Sequence, residues 1–190
     1  MKKYAVAVIV VVVILIAVSS LHAGEVILYG GLQKPGKLEY AAAAELPASL
    51  LEGTFGGTYG IRFSGGGIVG MEQNISFSPR FAVSGVRAFQ MDTNLLLQAP
   101  GKIVPYATAG LGFIVTWGQG STEDMSPAEI AARAFSFGRQ FSLNYGGGIK
   151  VRRLIGSMGL NADFRGYTIP SARDGSLNFI QSSLGLVFTW

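Results

Sequence analysis

The 190-residue chain contains no cysteine, which removes disulfides, thiolate nucleophiles and cysteine-ligated metals at a stroke. It has a single histidine, His22, inside a segment expected to be cut away. A mature chain with neither residue excludes Ser-His-Asp catalysis and argues against a zinc site. Charge is scarce as well: 14% of residues are charged, against about 25% in ordinary globular domains. No apolar run in residues 24–190 approaches the roughly 18 residues of a helical membrane span, so such spans are excluded. What is plentiful is glycine, 27 residues, roughly twice the usual share and without a collagen-like period. The length suits one domain.

Residues 1–23 have the three parts of a secretory signal. Lys2 and Lys3 open it, Ala5 to Val18 is an unbroken apolar run, and Ser19 to Ala23 is small and mildly polar. The run is too short to cross a bilayer as a helix and suits a signal-peptide core. Leu21 and Ala23 fit the −3 and −1 positions, so cleavage is expected before Gly24, the alternative being an uncleaved anchor. The expected organisation is a removed signal peptide, 1–23, followed by one barrel domain, 24–190. Without Lys2 and Lys3 the chain is nearly neutral, a balance that argues against a nucleic-acid partner.

The mature chain alternates at period two. From Pro105 to Trp117 the odd positions read Ala107, Ala109, Leu111, Phe113, Val115 and Trp117, while the even ones read Tyr106, Thr108, Gly110, Gly112, Ile114 and Thr116. Near the end Ile180, Leu184, Leu186, Phe188 and Trp190 share one parity, interrupted by Ser182, and Gln181, Ser183, Gly185 and Thr189 the other. Such alternation means strands with two unlike faces. The same test predicts strands over 25–33, 54–64, 67–78, 87–99, 102–117, 139–153, 157–169 and 177–190. Links after the second, fourth and sixth are tight, and those after the first, third, fifth and seventh are longer. This predicts an all-β, eight-stranded antiparallel up-and-down transmembrane barrel with long loops at one end and tight turns at the other. Ser126-Pro127-Ala128-Glu129 has capping-box chemistry, so a short loop helix is expected from Pro127 to about Phe135. Ala41 to Leu51, broken by Pro47, is a weaker helix candidate.

Ionisable residues within the strands orient the two faces. Arg62, Glu72, Asp92, Lys150, Arg152, Asp163 and Arg165 all fall on the parity opposite the apolar one, whose members include Ile61, Met71, Ile75, Leu95, Leu143, Ile149 and Phe164. In a membrane barrel the charged parity faces the lumen; in a soluble lipocalin-like, lipid-binding barrel it would face water. Three features favour the membrane version. The apolar face lacks Lys and Glu, small residues such as Gly60, Gly110, Gly112, Gly146 and Gly148 gather on the charged parity, and Tyr59, Phe63, Trp117, Tyr167, Phe188 and Trp190 stand near strand ends as girdles do. The seven lumen charges are expected to form an ion-paired plug, with Asp163 and Arg165 reaching Lys150, Arg152 or Glu72. Gln90, Asn94, Gln98, Tyr106, Asn144, Asn161 and Tyr167 add bulk on the same parity. A narrow channel for ions or small solutes is the alternative. No catalytic role is assigned, since outer-membrane hydrolases generally rely on a histidine.

Several motifs resemble the eight-stranded outer-membrane proteins similar to the transmembrane domain of OmpA. They are Pro105-Tyr106-Ala107-Thr108-Ala109-Gly110-Leu111-Gly112, then Asn144-Tyr145-Gly146-Gly147-Gly148-Ile149-Lys150, then Leu160-Asn161-Ala162-Asp163-Phe164-Arg165-Gly166-Tyr167. The terminal Leu184-Gly185-Leu186-Val187-Phe188-Thr189-Trp190 resembles the family's assembly signal, with Phe188 and Trp190 as its aromatics; Trp190 stands where Phe is usual. The resemblance implies outer-membrane residence as a monomer, with membrane lipid and the barrel-insertion machinery as partners and no cofactor. It implies location and fold more than activity. The role expected for this chain is structural or surface-interaction, not enzymatic.

Overall fold

The computed structural model describes residues 24–36, 52–118, 129, 132, 135–172 and 175–190. The expected signal segment and the Ala41 to Leu51 stretch lie outside the described residues. Eight strands follow in order among the described residues: β1 (Glu25–Pro35), β2 (Gly56–Gly66), β3 (Val69–Ser78), β4 (Val86–Gln98), β5 (Ile103–Gly118), β6 (Gly138–Ile155), β7 (Met158–Ala172) and β8 (Gly175–Thr189). Each pairs antiparallel with the next, and β1 pairs with β8 from Glu25↔Thr189 to Pro35↔Phe179. The sheet is a closed barrel. Closure leaves no strand edge with unpaired backbone groups, which an apolar solvent would not satisfy.

The tight turns after β2, β4 and β6 contain Gly66, Gly101 and Gly156 at φ 109°, 118° and 59°, backbone conformations that favour glycine. At the opposite end the predicted pattern needs one correction. The link after β7 is not long, since β8 begins at Gly175 and Ala172 pairs with it. The register shifts between Ile169 and Ala172, across Pro170, whose missing N–H breaks the ladder without ending the strand. In the β5–β6 connection Glu129, Ala132 and Phe135 are helical, and the Ser136 hydroxyl donates to the Ala132 carbonyl at 2.7 Å. The remainder of the expected loop helix lies outside the described residues.

Side-chain burial follows the alternation. Leu28, Leu95, Leu111, Ile149, Leu160 and Leu184 point outward and are exposed, whereas Arg62, Glu72, Lys150 and Arg165 are fully buried inside. A soluble lipid-binding barrel needs the reverse, with charge in water and an apolar pocket within, so the lipocalin-like alternative is overturned. The outward wall is apolar, as a lipid-facing wall is. Trp117 lies tilted beside Phe77 on it, ring centroids 6.2 Å apart. Tyr167 is a second correction. It is no girdle residue but lies inside, stacked on Phe179 at 4.6 Å, because it shares the parity of Asp163 and Arg165.

Candidate functional site: the barrel interior

The interior is zoned along the barrel axis. Around its middle, β2, β3, β7 and β8 bring together Arg62, Glu72, Asp163, Arg165 and Ser183. The Arg165 guanidinium forks onto Glu72, with Nη1 to Oε1 at 2.7 Å and Nη2 to Oε2 at 3.1 Å, while its Nε donates to Asp163 Oδ1 at 2.9 Å. Arg62 Nη2 meets the same Asp163 oxygen at 2.9 Å and donates to Ser183 Oγ at 3.1 Å. Its guanidinium lies 4.0 Å over the Tyr29 ring. Hydrogen bonds extend this cluster: Tyr106 Oη donates to Asp163 Oδ2 at 2.5 Å, and Asn94 Nδ2 to Glu72 Oε1 at 2.9 Å. Paired, hydrogen-bonded charges are the form in which ions survive burial.

Asp92 stands apart from the cations. Asn74 Nδ2 and Gln90 Nε2 donate to its carboxylate at 2.8 Å and 3.1 Å, and no ion pair reaches it among the described residues. Glycines make room for this bulk. A Cβ on Gly148 would come 2.8 Å from Tyr106 Oη, and one on Gly146 would come 3.0 Å from Arg165 Cγ.

A second cluster sits at the tight-turn end and centres on Glu25, which sequence reasoning missed. Lys150 Nζ reaches Glu25 Oε2 at 2.8 Å, and Arg152 Nε pairs with Oε1. Ser64 Oγ also donates to Glu25 Oε2 at 3.1 Å, and Arg152 Nη2 donates to Gln98 Oε1 at 3.1 Å. Lys150 and Arg152 therefore meet Glu25 rather than Asp163, the acid expected to reach them. Arg152 is the one member of the seven with an exposed part, its side chain 21% accessible. The usable signal for Glu25 was its odd position, shared with the buried Ile27 and Tyr29, but Gly30-Gly31 blurs the alternation of β1.

Toward the long-loop end the interior turns apolar. Phe81, Ile114, Phe135, Ile169, Leu177 and Phe179 are buried together, with Ala132 among them. Phe81 packs edge-on against Phe179 at 5.4 Å. Loop residues thus form a cap that seals the barrel from above, while the ion pairs fill it below. Between these zones Tyr167 Oη, Thr58 Oγ1 and Ser142 Oγ are buried without a hydrogen-bond partner, as are both polar side-chain atoms of Gln181.

No family model and no curated protein matches the sequence. Solved structures do match in shape. Neisserial surface protein A superposes with a TM-score of 0.63 at 12% identity, covering 88% of this chain and 98% of that one. The outer membrane enzyme PagL superposes at 0.50 with 13% identity, covering 87% and 99%. The chain has the fold of the eight-stranded outer-membrane β-barrels. Within that fold, one neighbour is described as a surface protein and another as an enzyme, so the barrel alone does not select an activity. The chemistry that this barrel's interior offers is charge pairing and hydrogen bonding. Among the described residues no group of histidines, cysteines or carboxylates is placed to hold a metal ion.

Proposed function

We propose that this chain is an integral outer-membrane protein with a structural or surface-interaction role, and that it is no enzyme. Export by residues 1–23 precedes insertion, and Phe188 and Trp190 are the aromatics that the insertion machinery reads. The observation that carries the proposal is the filled interior, in which fully buried ion pairs and the apolar cap lie in series along the barrel axis. An eight-stranded barrel is narrow enough for side chains to fill. Packing of Ala132 and Phe135 into the cap gives the β5–β6 connection a fixed seat at the long-loop end, the end that faces outward in such barrels. That supports a surface role better than a passive wall.

The purified barrel in planar bilayers should show little or no steady conductance. Removing a cation from the middle cluster, as in Arg165→Ala, should admit intermittent ion flow. A stable wild-type conductance whose cation/anion preference shifts in Arg165→Ala or Asp92→Ala would promote the channel reading and defeat the plug.

A further inference from the structure

The lumen charges balance in sum but not in space. The middle cluster and Asp92 place three carboxylates against the two guanidinium groups of Arg62 and Arg165. At the tight-turn end the ratio reverses. Lys150 and Arg152 share the single carboxylate of Glu25, and Lys102 and Arg153 stand beside them. Among the described residues neither Lys102 nor Arg153 is ion-paired to a carboxylate. Four cations therefore gather at this end beside one acid, whose two oxygens are already engaged by Lys150 and Arg152.

Three of these cations, Lys102, Arg152 and Arg153, border a cavity of about 510 Å³ at the turn-end mouth, and Glu25, Thr189 and Trp190 line it too. The volume is in the range of small-molecule sites. Two backbone features hold the cations in place. Arg153 sits at φ 51° in the register shift between Val151 and Ile155, and Arg152 N donates to the Lys102 carbonyl at 2.8 Å, tying the two turns together. Thr189 Oγ1 is buried and has no hydrogen-bond partner. Trp190 is 68% exposed at the same mouth and offers an apolar ring face. Gly65, Gly66 and Gly101 complete the rim without side chains that would obstruct entry.

We propose that the turn-end mouth is a binding site for a phosphate-bearing solute, held by Lys102, Arg152 and Arg153. A phosphate carries more charge than a carboxylate and presents three oxygens to separate donors, which suits three cations on two turns. Thr189 supplies a hydroxyl donor, and Trp190 packs against whatever the phosphate is attached to. Arg152 keeps its contacts with Glu25 and Gln98 and adds its exposed part. The site is independent of whether the lumen conducts, because it lies outside the middle cluster.

The chain has two tryptophans, so Trp117→Phe leaves Trp190 as the sole emitter, at the site. The full-length barrel with that change, in maltoside micelles free of phosphate headgroups, is titrated at constant ionic strength with inorganic phosphate, glycerol 3-phosphate and acetate. Saturable changes in Trp190 emission are expected with both phosphates, tighter with glycerol 3-phosphate, and acetate should bind at least about tenfold more weakly. Lys102→Gln and Arg153→Asn, the latter a residue that tolerates positive φ, should each weaken phosphate binding about tenfold while the barrel stays folded by circular dichroism. Tighter binding of inorganic phosphate than of glycerol 3-phosphate would keep the anion site but remove the packing role of Trp190. The proposal fails if phosphate produces no saturable change, if acetate matches it, or if both variants bind as the parent does.

Discussion

Arg165→Ala should cost the barrel about 3–5 kcal/mol, the usual penalty for stripping one partner from a buried ion pair. Arg165 is fully buried and, among the described residues, is the one cation whose hydrogen bonds join Glu72 to Asp163. Without it Asp163 keeps Arg62, at 2.9 Å, and the Tyr106 hydroxyl. Among the described residues Glu72 keeps one hydrogen bond, from the Asn94 amide, and loses its ion-pair partner inside a narrow lumen. The cause can be separated from lost packing. Adding Glu72→Gln to the alanine variant removes the stranded charge and should recover a large part of the loss, giving a coupling well above the error of a double-mutant cycle. Arg165→Lys should fall between, because a lysine keeps the charge but not the two-pronged fit. Urea unfolding of the barrel in lipid or detergent reads all five proteins: the parent, Arg165→Ala, Glu72→Gln, their double variant and Arg165→Lys. An alanine variant within about 1 kcal/mol of the parent would show that the cluster contributes little.

Much of this architecture was legible because a barrel obeys one local rule. Period-two alternation in residues 105–117 and 180–190 places each side chain on a face without knowledge of any distant contact, and seven charges on the quiet parity orient the wall. Pairing partners are another matter. They depend on register around the closed sheet, and Lys150 meets Glu25 across 125 residues of sequence, a relation no local pattern carries. The separation of charge along the axis was hidden for the same reason, since counting residues by parity discards height. Tyr167 was read onto both faces, and its position two residues beyond Arg165 should have decided for the interior. The apolar cap was also missed. Ile114, Ile169 and Leu177 lie on the lumen parity, where a polar filling was expected, and only the loop residues Phe81 and Phe135 packed on them explain why. The β7–β8 link looked long because Pro170 resembles a strand end, whereas the ladder resumes beyond it.

Leu111→Arg should destabilise the barrel by about 2–4 kcal/mol, the cost of a cation on the lipid face near the bilayer midplane. Leu111 lies at the middle of β5, is 55% exposed on the outward wall, and pairs with Thr93 and Leu143 on the flanking strands. Neither neighbour offers a negative charge. A control at the same chemistry but different depth is Ile155→Arg, where the side chain is 81% exposed at the end of β6; near an interface the cost falls to about 0–1 kcal/mol. Substitutions inside the lumen would not serve, because Ser183 accepts from Arg62 and a Cβ on Gly112 would collide with Asp92. A fluorophore scan with lipid-borne quencher should give the same orientation, with probes at Leu111 and Leu186 quenched and one at Ser183 protected. Equal costs for the two arginine variants, together with an unquenched Leu111, would mean that the apolar wall does not meet lipid, and the membrane reading would fall with it.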